Sequence, residues 1–245
     1  FKGSWLSLIL KMYGAKVQGV SSSKFNDNAG LYSCLELNKI SNTVDCDIRD
    51  FDQVCKTFNS FNPEIVFHLA AQPLVRQSYQ DPVTTYEVNV MGTMSILEAV
   101  KKSSSVKSAV MVTTDKCYKN NEWEWGYREN DPMGGHDPYS SSKACTELLT
   151  QSYQQSFFND HTNSPGVSTV RAGNVIGGGD FSEDRLIPDL YRAISTNKKL
   201  LLRNPLATRP WQHVFEPIAG YLEVAERLFE SGATDNDCWN FGPNN

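Results

Sequence analysis

The sequence predicts an α/β fold built on a doubly wound parallel sheet, and three observations predict it. Short apolar runs of strand length, such as Ala109-Val110-Met111-Val112 and Val167-Ser168-Thr169-Val170, alternate with longer stretches compatible with helix. The first of these runs is continuously apolar, as a strand buried between two helical layers reads. Polar residues able to do chemistry follow directly after them, and open α/β sheets bind ligands outside the carboxyl ends of their strands.

In chain order, residues 1–10 read as a helix that ends near Gly14. A soluble α/β domain rarely starts in mid-helix, so the chain reads as a fragment. Gly3 then reads as the last glycine of a dinucleotide-binding loop whose first strand and earlier glycines precede residue 1; the bland alternative is a flexible terminus. Such a loop holds a pyrophosphate at the helix N-terminus, where backbone N–H groups and the helix dipole favour anions. This is the Rossmann-type form of the doubly wound sheet, here expected with its first strand missing.

Residues 16–20 form the next expected strand. Ser21-Ser22-Ser23-Lys24 follows where NAD enzymes often place a ribose-binding carboxylate, so NAD and NADP are not distinguished there. Lys24 reads as an exposed loop lysine or a 2′-phosphate partner. Residues 44–48 are a short strand leading into a helix over 50–58. Asp47 and Ile48 at its end would flank an adenine, or Asp47 is a cap or turn carboxylate. Residues 64–72 read as a buried strand running into small residues, Leu69-Ala70-Ala71, with Gln72 at its end; small side chains let a cofactor approach the backbone. His68 reads as a packing histidine, and Arg76, Ser78 and Tyr79 as loop residues within reach of substrate. A helix over 83–101 carries Asn89, whose amide needs a partner in apolar surroundings. The same helix is a candidate dimer face.

Two stretches organise the chemistry. The strand 109–112 delivers Thr114, Asp115 and Lys116 to its C-terminal end. Residues 139–157 form a helix started by Ser140 to Ser142, in which Tyr139 and Lys143 lie one turn apart on one face. A phenol has a pKa of about 10, and a nearby ammonium lowers it. A tyrosine so tuned can take a proton from a sugar hydroxyl, with the Thr114 hydroxyl holding the same oxygen. Residues 119–138 read as a loop over the cleft, with Glu129 and Asp131 solvated, and a second loop carries His161.

The strand 167–172 ends in Gly173-Asn174, and Gly177 to Gly179 form a glycine-rich turn able to meet an anion; Asn174 is placed to bond a sugar or phosphate. A helix over 184–196 opens with Arg185. A short strand over 199–202 precedes Arg209-Pro210-Trp211-Gln212-His213, where Arg209 suits bidentate phosphate binding and Trp211 and His213 suit packing. A helix over 217–228 and a strand over 239–242 close the chain. Residues 1–175 are thus expected as a dinucleotide-binding domain. Residues 176–245 are expected as a smaller, partly truncated C-terminal substrate-binding part, with some segments returning to the main sheet.

Composition narrows the classes. The 245 residues are 40% hydrophobic and 21% charged, with a formal net charge of −5. That is a globular composition without a basic patch for nucleic acid or a membrane surface. No apolar run reaches the roughly 18 residues that cross a bilayer. The six cysteines show no metal-ligand or C-x-x-C spacing, which favours a reducing, cytoplasmic compartment.

Together, Phe1-Lys-Gly-Ser-Trp-Leu6, His68 to Arg76, Thr114-Asp-Lys-Cys-Tyr118, Tyr139-Ser-Ser-Ser-Lys143, Arg171 to Asp180 and Arg209 to Val214 resemble the extended short-chain dehydrogenase/reductase superfamily. Within it they resemble the family of CDP-glucose 4,6-dehydratases. Lys116 is the telling residue: the related dTDP-glucose and GDP-mannose enzymes carry glutamate there. The resemblance implies NAD as cofactor, a nucleotide sugar (CDP-glucose) as substrate, and a homodimer. It implies catalytic roles for Thr114, Asp115, Lys116, Tyr139 and Lys143. It implies cofactor contacts at Gly3, Asp47, Ile48, Leu69, Ala70, Ala71, Asn89, Tyr139 and Lys143, and substrate contacts at Gln72, Arg76, Asn174, Arg185 and Arg209. Tyr139 would deprotonate the sugar 4-hydroxyl, Lys116 would take the C5 proton, and Asp115 would protonate the departing 6-hydroxyl. A base must be neutral, and a free lysine has a pKa of about 10.4. Lys116 in that role therefore needs burial or nearby cations; otherwise it stays charged and stabilises the enolate. The rival readings are a nucleotide-sugar epimerase, which needs no Asp-Lys pair, and a non-catalytic nucleotide-sugar-binding protein.

Overall fold

The computed structural model describes residues 1–22, 30–160, 164–202 and 204–243; Ser23, Lys24 and His161 lie outside them. The elements in order are α1 (Lys2–Met12), β1 (Gln18–Ser21), α2 (Leu31–Cys34), α3 (Leu37–Ile40), β2 (Asn42–Asp45), α4 (Phe51–Phe61) and β3 (Ile65–His68). Then come α5 (Val75–Gln80), α6 (Pro82–Tyr86), a π-helical turn (Glu87–Met91), α7 (Gly92–Lys102), β4 (Ser108–Val112), α8 (Pro138–Phe157) and β5 (Gly166–Ala172). Last are β6 (Val175–Ile176), α9 (Leu186–Ser195), β7 (Gln212–His213), α10 (Phe215–Ser231) and β8 (Cys238–Phe241).

Every ladder between these strands is parallel. The central sheet has the order β3-β4-β5-β8, while β1-β2 and β6-β7 form separate pairs. Alternation along the central strands splits the core into two layers. Ala109, Met111 and Val167 face α4, α7 and α8, packing with Val54, Leu97, Val100 and Tyr153. Val110, Val112, Val170 and Ala172 face α10, packing with Tyr221, Val224 and Leu228. Each such side chain removed from water contributes about 1.5–3 kcal/mol, so strands only four to seven residues long are held by the layers above and below them. Helix α1 closes the α10 side through Leu6, Val214 and Ile218.

Local chemistry sets the helix boundaries. The Asp50 carboxylate caps α4 by accepting from Gln53 N, and Asn62 ends it in the left-handed region. Asp137 caps α8, accepting from Ser140 N, with Pro138 in the first helical turn. The helix over 82–102 is one run interrupted by the π turn, and that turn holds Asn89.

Several expectations are corrected. The second strand spans 42–45 rather than 44–48, and Cys46 and Ile48 are buried beyond its end. The third spans only 65–68, with Ile65 exposed. Arg76, Ser78 and Tyr79 belong to α5 rather than a loop, and Ser78 is fully buried. Helix α8 is started by Asp137, not by Ser140 to Ser142, because an aspartate before Pro138 already satisfies the first-turn N–H groups. Residues 199–202 form no strand: Leu201 and Leu202 are exposed and have no strand partner among the described residues. Glu129 and Asp131 are not simply solvated, since Glu129 Oε1 accepts from Asn240 N and Asp131 Oδ2 from Arg128 N.

Gly220 is where α10 meets β8. A Cβ there would stand 2.0 Å from Phe241 Cε1. Gly220→Ala is expected to lower stability by about 1–3 kcal/mol through overpacking, read as a fall in Tm. An unchanged Tm would mean that α10 does not lie on β8 at this point.

Candidate active site

The site is built where β4 ends. Thr113 N still donates to Val170 O at 2.8 Å, and Thr114 then leaves the sheet in extended conformation to cap a single turn over Asp115–Cys117. Its hydroxyl lies 3.1 Å from Asp115 Oδ1. The first turn of α8 packs against this strand end. The Tyr139 phenol stands close enough to Thr114 for that side chain to lower its pKa as a hydrogen-bonding neighbour, and Lys143 Nζ donates to Val112 O at 3.2 Å. The structure thus brings Thr114, Asp115, Tyr139 and Lys143 together.

Burial dominates the titration of this cluster. Desolvation pushes the Tyr139 phenol up to about 12, and the neighbouring Asp115 and Asp137 push the same way. The Thr114 hydrogen bond and Arg185 oppose them. The expected lowering of Tyr139 by Lys143 is therefore overturned in the substrate-free protein. Lys143, 4% exposed, is lowered to about 8 by burial, opposed by Glu147 and then Cys117. His68 is lowered to about 3 by burial and then by Lys143. Its Nε2 lies 3.0 Å from Thr93 Oγ1, so it is a neutral packing residue.

The other predicted residues are placed as follows. Lys116 shares the turn with Asp115 and is exposed. Gly3, in the first turn of α1, has nothing within 4 Å of where a Cβ would stand. Asp47 pairs with Arg49, Oδ2 to NH2 at 2.6 Å, as a turn carboxylate. Ile48 is buried, and a Cβ on Gly92 would stand 2.5 Å from its Cδ1. Leu69, Ala70 and Ala71 follow β3 and are half-buried. Asn89 acts as a clamp: its Oδ1 accepts from Gln72 N at 2.8 Å, and its Nδ2 donates to Gln72 O and to Ser142 Oγ on α8. The Gln72 amide is itself bonded to Leu74 and Thr85. Asn174 Oδ1 is buried with no partner among the described residues. Arg76 pairs with Asp184 at 2.7 Å and Arg185 with Asp180 at 2.8 Å. Arg209 is exposed and donates to Thr208 O.

Sequence reasoning passed over Lys2. Its Nζ donates to Tyr221 OH at 3.2 Å. Burial, then Lys143 and Arg185, lower it to about 7, against Asp115. A lysine among the apolar residues of α1 was the available signal. Glu147, one turn after Lys143, and Arg171, inside a buried strand, were also passed over; each is a charge in an apolar run.

The parallel sheet with a threonine, tyrosine and lysine at its strand ends defines the class: an α/β protein of the short-chain dehydrogenase/reductase type. A family described as GDP-mannose 4,6 dehydratase matches residues 1–235, and the chain belongs to that family. It is 51% identical over 99% of its length to a CDP-glucose 4,6-dehydratase of Salmonella typhimurium, of which it spans 68%. It is 30% identical over 56% of its length to a CDP-paratose 2-epimerase of Salmonella typhi, of which it spans 43%. A dTDP-glucose 4,6-dehydratase of Bacillus anthracis, solved with NAD, superposes with a TM-score of 0.82 over 100% of this chain and 73% of that one at 24% identity.

The low value at Lys2 has a consequence for stability. In the unfolded chain its amine holds a proton up to about pH 10.4, and in the folded protein only up to about 7. The folded state then binds fewer protons in between, so this contribution is present above pH 10 and is lost as pH falls through 7. Stability of Lys2→Met relative to wild type is expected to rise as pH drops from 10 to 7, read by urea denaturation. A difference independent of pH would place the Lys2 amine in water.

Proposed function

We propose that the protein converts CDP-D-glucose to CDP-4-dehydro-6-deoxy-D-glucose as an NAD-dependent 4,6-dehydratase. The observation that carries this reading is the Asp115-Lys116 turn following directly on Thr114, which neighbours Tyr139. One hydroxyl oxygen is served by Tyr139, and the next carbons of the sugar face an acid and an amine. The 51% identity to a CDP-glucose 4,6-dehydratase supports the nucleobase.

The residues fit NAD. Gly3, in the first turn of α1, carries no side chain to bar a pyrophosphate from the helix start, and the side chains following β3 at Ala70 and Ala71 are small. NAD, when bound, would accept a hydride from C4 of the sugar and return it to C6. Tyr139 takes the proton of the 4-hydroxyl, with the Thr114 hydroxyl holding the same oxygen. Burial holds the Tyr139 phenol at about 12, and the Lys143 ammonium on the same helix face favours the phenolate; positioned general bases contribute about 10²–10⁴-fold. The 4-ketone acidifies the C5 proton. Lys116 removes it by folding from solvent over the bound sugar, and Asp115 protonates the departing 6-hydroxyl. Asn174, Arg185 and Arg209 bind the sugar nucleotide, and Arg209 supplies an exposed guanidinium for phosphate. Asn89 and Gln72 hold the strand end against α8.

Incubation with CDP-glucose and NAD is expected to yield a 4-keto sugar, seen by its alkali-induced absorbance. Tyr139→Phe should lower the rate about 10²–10⁴-fold. A C4 epimer would instead mark an epimerase, and no product with CDP-, dTDP- or GDP-hexoses a binding protein. Lys116→Met should abolish exchange of the C5 proton with solvent, whereas full-rate exchange would remove Lys116 as the base.

We also infer a cytoplasmic homodimer. Six free cysteines suit a reducing compartment, and among the described residues no helix is long and apolar enough to cross a membrane. Helices α5, α6 and α8 pack together and expose Tyr79, Val83 and Leu148, large apolar side chains suited to a second copy. Val83→Asp is expected to halve the mass seen by sedimentation equilibrium; an unaltered mass would move the interface elsewhere.

A further inference from the structure

We propose that Glu147 is a positioning residue of this site, its carboxylate governing both the charge of Lys143 and the placement of the Thr113–Thr114 strand end. The inference rests on the roles given above to Tyr139 and Lys143 and deepens them. Glu147 lies four residues after Lys143, one turn along the same face of α8, and is 4% exposed. Its Oε1 accepts from the Thr113 hydroxyl. Its Oε2 accepts from Thr169 Oγ1 at 2.7 Å and from Arg171 NH2 at 2.7 Å. Arg171 is equally buried, and its NH1 donates to Tyr118 OH at 2.5 Å and to Glu129 O at 2.9 Å. Tyr118 OH in turn donates to Asn240 Oδ1 on β8 at 2.7 Å. A single carboxylate thereby ties α8 to β4 and β5, and through Arg171 to the loop and β8.

Well-packed apolar residues often replace a buried ion pair at no cost in stability, so stability alone does not account for a carboxylate here. The catalytic lysine does. The titratable and charged groups facing Lys143 are Tyr139 and Glu147 on its own helix, Cys117 after β4, His68 on β3 and Lys2 on α1. His68 is neutral, burial pushes the Cys117 thiol up so that it is neutral as well, and Lys2, lowered to about 7, has lost its charge where Lys143 titrates. The Glu147 carboxylate is the strongest influence opposing the burial of Lys143. Its other oxygen fixes Thr113, the residue before the threonine that meets Tyr139.

The test reads Lys143 directly, as the pH dependence of its carbon-13 Cε shift in the substrate-free protein, assigned by its loss in Lys143→Arg. Glu147→Gln removes the negative charge, so the Lys143 titration is expected to move down by about one unit or more. The alkaline limb of the kcat profile should move down with it while KM for CDP-glucose stays the same. Glu147→Asp, which keeps the charge, should return the titration toward the wild-type value. Where Glu147→Gln fails to fold, Glu147→Gln combined with Arg171→Gln removes both buried charges and should show the same downward shift. An unshifted Lys143 in either folded variant overturns the proposal. A shifted Lys143 in a protein that makes no keto sugar overturns the dehydratase reading and leaves Glu147 in its role.

Discussion

Lys143 donates to the Val112 carbonyl at 3.2 Å from a side chain only 4% exposed, and the surrounding geometry depends on that bond. It seats the first turn of α8 on the last residue of β4, which sets Tyr139 against Thr114. An ammonium in such a place has lost most of its hydration. It remains tolerable because a carbonyl accepts one of its protons and a carboxylate stands one turn below. The clamp from the other side is Asn89, which bonds Ser142 on α8 and both backbone groups of Gln72. The π turn in which Asn89 sits shifts that part of the helix out of ordinary register, a local irregularity of the kind that gathers at functional sites.

The charge of the whole molecule is a poor guide to this pocket. The chain carries a formal −5, yet Lys143 and Arg185 stand near enough to Lys2 to lower its amine, against the carboxylate of Asp115. Burial, then the repulsion of Lys143 and Arg185, brings Lys2 to about 7, and burial brings Lys143 to about 8. Such amines change protonation with small changes in surroundings near neutral pH, which is the property a site exchanging protons with a sugar requires. A negatively charged sugar nucleotide entering this pocket would favour their charged forms, so binding and ionisation are coupled.

How much of this was legible follows from the range of the forces involved. The continuously apolar run announced β4, since burial on both faces leaves no alternation to read. The Tyr139–Lys143 spacing announced their shared helical face. The strand expected over 199–202 failed because three apolar residues in a row do not make a strand without a partner, and pairing is non-local. Asp137 was missed as the cap of α8 because three serines after it carried the same local signal. The value at Tyr139 was misjudged for a different reason: a neighbouring ammonium is visible in the spacing, whereas the depth of burial that outweighs it appears only once β4 and α10 have closed around the ring. Lys2 and Glu147 belong to the same class, because a charged residue in an apolar helix is conspicuous but its partners lie far off in the chain.

The distant partners also explain why the segment after residue 175 acts on the site from outside the central strands. Gly173 ends β5 with no side chain, and a Cβ there would meet Pro210 Cγ at 2.4 Å and Asp115 Oδ2 at 3.3 Å. Only glycine lets the segment around Pro210 close on the Asp115 turn. That segment is held by the β6–β7 ladder, Val175 with Gln212 and Ile176 with His213, and by Gln212 Nε2 on Phe241 O at the end of β8. Tyr118, three residues beyond Asp115, reaches β8 as well, through Asn240. The turn bearing Asp115 and Lys116 is therefore gripped on one side by the strand that precedes it and on the other by residues a hundred positions later. Chemistry at that turn depends on the closing strand as much as on the helix that carries Tyr139.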